Sequence, residues 1–140
     1  MQRPSPHPSW SRLARPASGC LLVVAAALVQ AATPAQIAAG YAASAGAPAD
    51  PERGRRFFTT TQGHEWRCAS CHGELPTQAG RHAATGKPIA PLAPAFDAQR
   101  FTDAAKVEKW FHRNCNDVVG RPCTAAEKAD VTAWLLTLRP

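Results

Sequence analysis

Methionine is almost missing from this 140-residue chain: it occurs once, as Met1, so no thioether side chain is available beyond the first position. Long apolar stretches are missing too. The run at 20–29 is too short to cross a bilayer comfortably, and no later run reaches 18 apolar residues, which excludes a stable membrane-spanning helix after it. The sequence has no internal repeat and little of the two-residue alternation that marks a half-buried strand. No aromatic residues interleave with a basic patch, which argues against nucleic-acid binding. The length allows one domain of ordinary size and is too short for two that each bury a core.

Acidic residues are absent from the first 32 positions, where Arg3, Arg12 and Arg15 precede the apolar run and small residues follow it. This order of charged, apolar and small segments is that of a secretory signal peptide, residues 1–32, cut after Ala31 or Ala32. The mature domain is then 33–140, exported to the periplasm. Cys20 stands at the start of the apolar run where a lipidated cysteine would follow it, and no twin-arginine pair is present. Losing three arginines and no acid lowers the formal charge from +6 to +3.

The mature chain reads as helix and loop. Thr33 and Pro34 open an alanine-rich helix ending near Gly46, and Asp50 and Pro51 open a second running to about Thr60. Residues 62–94, rich in Gly, Pro and Thr, read as loop. Thr102 is expected to cap a helix with Val107, Trp110 and Phe111 at i, i+3, i+4, followed by a short loop after Cys115. Thr124 and Glu127 form a capping-box pattern opening a last helix through Val131, Trp134, Leu135 and Leu138.

Inside the long loop stands Cys68-Ala69-Ser70-Cys71-His72, the attachment signature of haem c. Two thiols three positions apart add to the two vinyl groups of one haem, and the next residue offers an imidazole to its iron. A disulfide or thioredoxin-like pair needs no histidine there. A zinc site shared with Cys115 and Cys123 would need cysteines two to four apart, and these are eight apart. One helix before the motif and two after it suit a domain that sandwiches a haem. Gly54 and Phe58, with Val131, Trp134 and Leu135, resemble the crossing N- and C-terminal helices of class I cytochromes c. The expected fold is accordingly all-α, about four to five helices around one covalently attached haem.

A methionine sulfur commonly closes the sixth position of an electron-carrying cytochrome, and none survives export here. His64, His82, His112, Asn114, Asn116, a lysine or no residue remain. His64 is expected on the approach to the motif and His82 in a loop. On the helix from Thr102, positions 107, 110, 111 and 114 share a face, which makes Asn114 its polar member and leaves His112 solvated.

The segment Asn114-Cys115-Asn116, with Cys123 in reach, resembles the sphaeroides haem protein family of oxygen- and nitric-oxide-binding monohaem cytochromes. The likeness extends over nearly the whole mature chain. It takes in 37–45, Gly46-Ala47-Pro48-Ala49-Asp50, the haem motif, Thr85-Gly86-Lys87, Pro91-Leu92-Ala93-Pro94, Phe101-Thr102-Asp103 and Val107-Glu108-Lys109-Trp110. The resemblance implies that Asn114 is the distal haem ligand, displaceable on reduction, and that Cys115 and Cys123 form a disulfide. It also implies redox-linked binding of oxygen or nitric oxide, with electron transfer from c- or b-type cytochromes, rather than a classical enzyme. A plain low-potential electron carrier with another sixth ligand, or none, is the alternative.

Overall fold

The computed structural model describes Met1 and residues 31–140 of the chain, so nearly all of the expected signal peptide lies outside the described residues. Five helices and one short strand pair follow in the order α1 (Pro34–Ala45), α2 (Pro51–Thr59), α3 (Cys68–His72), β1 (Gly80–Arg81), β2 (Pro88–Ile89), α4 (Ala104–Val119) and α5 (Ala125–Thr137). The two strands pair antiparallel, Gly80 opposite Ile89. The fold is all-α, as expected.

Local chemistry sets most helix ends. The Thr33 hydroxyl accepts the Gln36 N–H at 3.2 Å while the Gln36 side chain accepts the Thr33 N–H at 2.8 Å, and Gly46 closes α1 in the left-handed region. Asp50 accepts the Glu52 and Arg53 N–H groups at 2.9 and 3.1 Å, starting α2. Thr124 and Glu127 make the expected capping box of α5.

Two expectations about α4 require correction. Asp103, not Thr102, is its cap: the carboxylate accepts the Lys106 N–H at 3.0 Å, while the Thr102 hydroxyl donates to Gln99 O. An ionised acceptor at a helix N-terminus also meets the positive end of the helix dipole. Nor does α4 end after Cys115. Its next residue able to take a left-handed φ without cost is Gly120, which stands at φ 77° and caps the helix.

The core forms where α1 and α2 both pack along α5. Phe58, Trp134 and Leu135 are buried at its centre with Ile37, Val131, Phe101 and Ala69, the last being an inner residue of the attachment motif. The α2–α5 crossing is so close that a Cβ on Gly54 would stand 2.1 Å from the backbone oxygen of Asp130. Glycine is needed there for contact distance rather than for conformational freedom. The same crossing carries a charge pair: Asp130, 2% exposed, is hydrogen-bonded by the Arg53 guanidinium and by the Asp50 backbone N–H at 2.7 Å.

Gly54→Ala should destabilise the haem-loaded protein by about 3 kcal/mol, because the atoms it meets are backbone and cannot rotate away. Guanidinium unfolding followed by far-ultraviolet dichroism measures this, and a loss below about 0.5 kcal/mol would contradict the close crossing.

Candidate functional site

The attachment motif is a single helical turn. The Arg67 N–H donates to Ser70 Oγ at 3.2 Å at its start, and the Gly73 N–H closes on Ala69 O at 2.9 Å at its end. That turn brings Cys68, Cys71 and His72 together while burying Ala69. The Arg67 side chain bridges from the last residue of α2 to Glu74, donating to Thr59 O at 2.7 Å and pairing with the carboxylate at 2.6 Å. Behind His72 stands Phe58, with ring centroids 6.1 Å apart, and Phe58 lies tilted against Trp134 at 5.0 Å.

Burial, followed by the charge of Arg100, pushes the His72 imidazole down to about 4. It is therefore neutral at physiological pH, which is the form that binds a metal. Burial likewise pushes the Cys68 thiol up to about 11, so it rests as a thiol.

The β1–β2 hairpin lies directly on the motif. A Cβ at Gly80 would stand 2.1 Å from Cys71 O, and the Ala83 N–H donates to Cys71 Sγ at 3.3 Å. The following loop is pinned by Arg100, which donates to Pro91 O at 2.7 Å and Ala90 O at 2.8 Å and pairs with Asp97 at 3.2 Å. Phe101, next in the chain, is buried with φ 57°. A phenylalanine in the left-handed region costs about 1 kcal/mol, which its burial in the core offsets. Neither Arg100 nor Gly80 stood out in the sequence, because their partners lie in other segments, whereas Phe101 is part of the family resemblance.

The residues considered for the other side of the iron are spread over three places. His82 Nδ1 accepts the Ala84 and Thr85 N–H groups at 3.3 and 3.4 Å, fixing the histidine inside the hairpin. His64 stands at the far end of α4, its Nε2 2.3 Å from where a Cβ on Gly120 would be. His112 is exposed, as expected. Asn116 spends its amide on the His112 carbonyl one turn earlier, at 2.8 Å.

The face of α4 that packs differs from the expected one. Val107 and Phe111 pack against the main core, and Phe111 also packs against a second cluster of Cys115, Val119 and Cys123, so the inward stripe follows i, i+4 steps. Trp110, 45% exposed and under the Arg113 guanidinium at 5.7 Å, and Asn114, also exposed, form the stripe beside it. Asn114 is thus not on the buried face but at its edge, directly before Cys115. Cys115 is bonded to Cys123, with Cα atoms 5.6 Å apart, so the pairing implied by the resemblance is present.

These residues fit a haem c. Cys68 and Cys71 are free thiols in a chain whose other described cysteines are paired, and they flank one turn beside a buried neutral imidazole. Because Cys115 and Cys123 are bonded to each other, a zinc site is ruled out for them. Among the described residues no three His, Cys, Asp or Glu side chains gather as a metal site.

The fold and the motif define a class, the all-α c-type cytochromes carrying a single haem c. A family described as "Domain of unknown function (DUF1924)" matches residues 44–135. Among curated proteins, the cytochrome c-type protein SHP of Cereibacter sphaeroides is 57% identical over 107 residues, spanning 74% of this chain and 82% of that protein. Cytochrome c'' of Methylophilus methylotrophus is 49% identical over 82 residues, 59% of this chain and 57% of its own length. Of solved structures, that of oxidized SHP, described as an oxygen-binding cytochrome c, superposes with a TM-score of 0.73 at 54% identity, covering 77% of this chain and 99% of that one. Oxidized cytochrome c'' superposes with a TM-score of 0.69 at 37% identity, covering 76% and 95%. The chain belongs to the DUF1924 family and, within the cytochromes c, to the family of SHP.

Placing a methyl group between the hairpin and the motif tests the proximal geometry. Gly80→Ala should lower the melting temperature of the haem-loaded protein by roughly 5 °C or more, since its Cβ meets backbone atoms of Cys71 and His72. An unchanged melt would show that the hairpin does not rest on the motif.

Proposed function

We propose that this chain is a periplasmic monohaem cytochrome that binds oxygen or nitric oxide in its reduced state and exchanges electrons with c- or b-type cytochromes. In this reading Cys68 and Cys71 hold the haem as thioethers, His72 is its permanent axial ligand, and Asn114 is a sixth ligand displaced on reduction. The observation that carries it is the placing of Asn114 on the edge of α4, one residue before a disulfide, in a chain with no methionine past the first position.

Bound haem c supplies the redox couple and, with a position open, affinity for a diatomic gas. The protein's part is to make one side firm and the other releasable. Phe58 and Trp134 back His72, and burial keeps its imidazole neutral. The Asn114 amide oxygen is a hard, neutral and weak donor that suits ferric iron and is easily lost by ferrous iron. The disulfide closes a loop worth about 2–3 kcal/mol in the chain-entropy model and keeps the residue before it from drifting. The relatives favour the same reading: SHP is described as binding oxygen, and a structure of cytochrome c'' is described in terms of haem-ligand detachment.

Export rests on the signal-peptide pattern of 1–32. Ala32 packs against the core beside α1, which favours a cut after Ala31 over one that would remove it. Among the described residues no helix is long and apolar enough to cross a membrane.

Two measurements test the reading. Mass spectrometry of the exported protein should show one haem added to a chain lacking its signal segment, and haem extracted by acidified organic solvent would refute the thioethers. Asn114→Ala should keep the haem attached but turn the ferric spectrum to that of water-ligated or five-coordinate iron, with ferrous gas binding retained. His82→Ala and His112→Ala should leave that spectrum unchanged. If the ferrous protein is low-spin and indifferent to carbon monoxide or nitric oxide, the plain electron-carrier reading takes its place.

A further inference from the structure

Helix α4 is secured at two points, one covalent and one polar. Its C-terminal half is fixed by the Cys115–Cys123 bond to the start of α5. Nearer its start, the two oxygens of one carboxylate reach two other helices: Glu108 Oε2 accepts from Tyr41 Oη of α1 at 2.9 Å, and Glu108 Oε1 accepts from Lys128 Nζ of α5 at 2.6 Å. Lys128 Nζ also lies 5.4 Å from the centre of the Tyr41 ring, and Tyr41 meets Phe111 edge-on at 5.7 Å. The lysine side chain is only 13% exposed, and Glu108 is the carboxylate that it pairs with. The junction acts on its members as a shared charge network should. Burial and Glu108 push the Tyr41 hydroxyl above its ordinary value, while Lys128 and Tyr41 hold the Glu108 carboxyl below its own.

Trp110, Phe111 and Asn114 all lie between these two points. Val107 and Phe111 are the residues by which this part of the helix packs on the protein core. On its α1 side a groove of about 400 Å³ opens, lined by Gln36, Ile37, Gly40, Tyr41, Ala104 and Glu108. The helix therefore has space beside it at the end where a carboxylate, and no covalent bond, restrains it.

We propose that Glu108 is a positioning residue for the sixth-ligand side of the haem, which together with Tyr41 and Lys128 fixes the first half of α4 and so sets where the segment up to Cys115, Asn114 included, stands over the iron. The inference rests on the reading of that side given above. An ion pair whose carboxylate is half exposed adds little to global stability, so the role shows in helix position and opening rather than in the unfolding midpoint.

The test is hydrogen exchange by mass spectrometry, with absorption spectra, on the ferric haem-loaded wild type and on Glu108→Gln, Tyr41→Phe and Asn114→Ala. Tyr41→Phe removes only the hydroxyl and keeps the edge contact with Phe111. Glu108→Gln should speed exchange over 106–114 at least fivefold, with Tyr41→Phe in the same direction and smaller, while peptides of α2 and α5 exchange as before. Its ferric spectrum should gain a high-spin fraction in the direction of Asn114→Ala. Unchanged exchange over 106–114 in both variants overturns the proposal, as does a speeding that extends equally to α2 and α5. If Asn114→Ala leaves the ferric spectrum untouched, the ligand reading falls; faster exchange confined to α4 would still support the Glu108 tether, and unchanged exchange would still overturn it.

Discussion

The contact between Gly54 on α2 and the backbone of Asp130 on α5 is the constraint from which the rest of the structure follows. Two helices this close can bring large side chains from both into one layer, and Phe58 and Trp134 meet there with centroids 5.0 Å apart. The layer is the wall behind His72. Closeness also buries the Asp130 carboxylate, an expensive step unless the charge is met. Arg53 and the Asp50 N–H meet it, and since Asp50 caps α2, the same residues that compensate the buried charge fix where α2 begins. A helix start, a crossing and an aromatic wall are in this way one coupled arrangement, and the attachment turn with Ala69 in the core is laid against it.

How far this was legible in the amino-acid sequence depends on the distance over which each feature is decided. The caps of α1, α2 and α5 rest on partners two or three residues away, and they stand where the pattern places them. Cys68, Cys71 and His72 lie within one turn, so their spacing carries the chemistry. The Gly54 crossing is anticipated from the resemblance of Gly54 and Phe58 to the N-terminal helix of class I cytochromes c rather than from local pattern. The start of α4 depends on a choice between adjacent threonine and aspartate, which the ionised side chain wins. Its inward face was misplaced by the choice of spacing: Val107, Trp110, Phe111 and Asn114 satisfy helical periodicity, but α4 is anchored at Cys115 and Val119, and that turns the i, i+4 stripe inward. Arg100, Gly80 and the Tyr41–Glu108–Lys128 junction have no local pattern at all, because each makes its contact across a gap that only the folded chain closes.

The two sides of the site are built by different means, and the difference suits what the reading asks of them. His72 is held by packing: a buried aromatic pair, a hairpin whose glycine touches the backbone beside it, and an arginine bridge from α2. Close-packed contacts resist small displacements in every direction. Helix α4 is held by a bond and a carboxylate, with Val107 and Phe111 packed on the core and a groove alongside. Regions with few buried apolar contacts open at lower free energy than the core does. A ligand that must stay belongs on the first kind of support. On the proposed reading, a ligand that leaves and returns suits the second, since only the length of helix between Glu108 and Cys115 would have to shift.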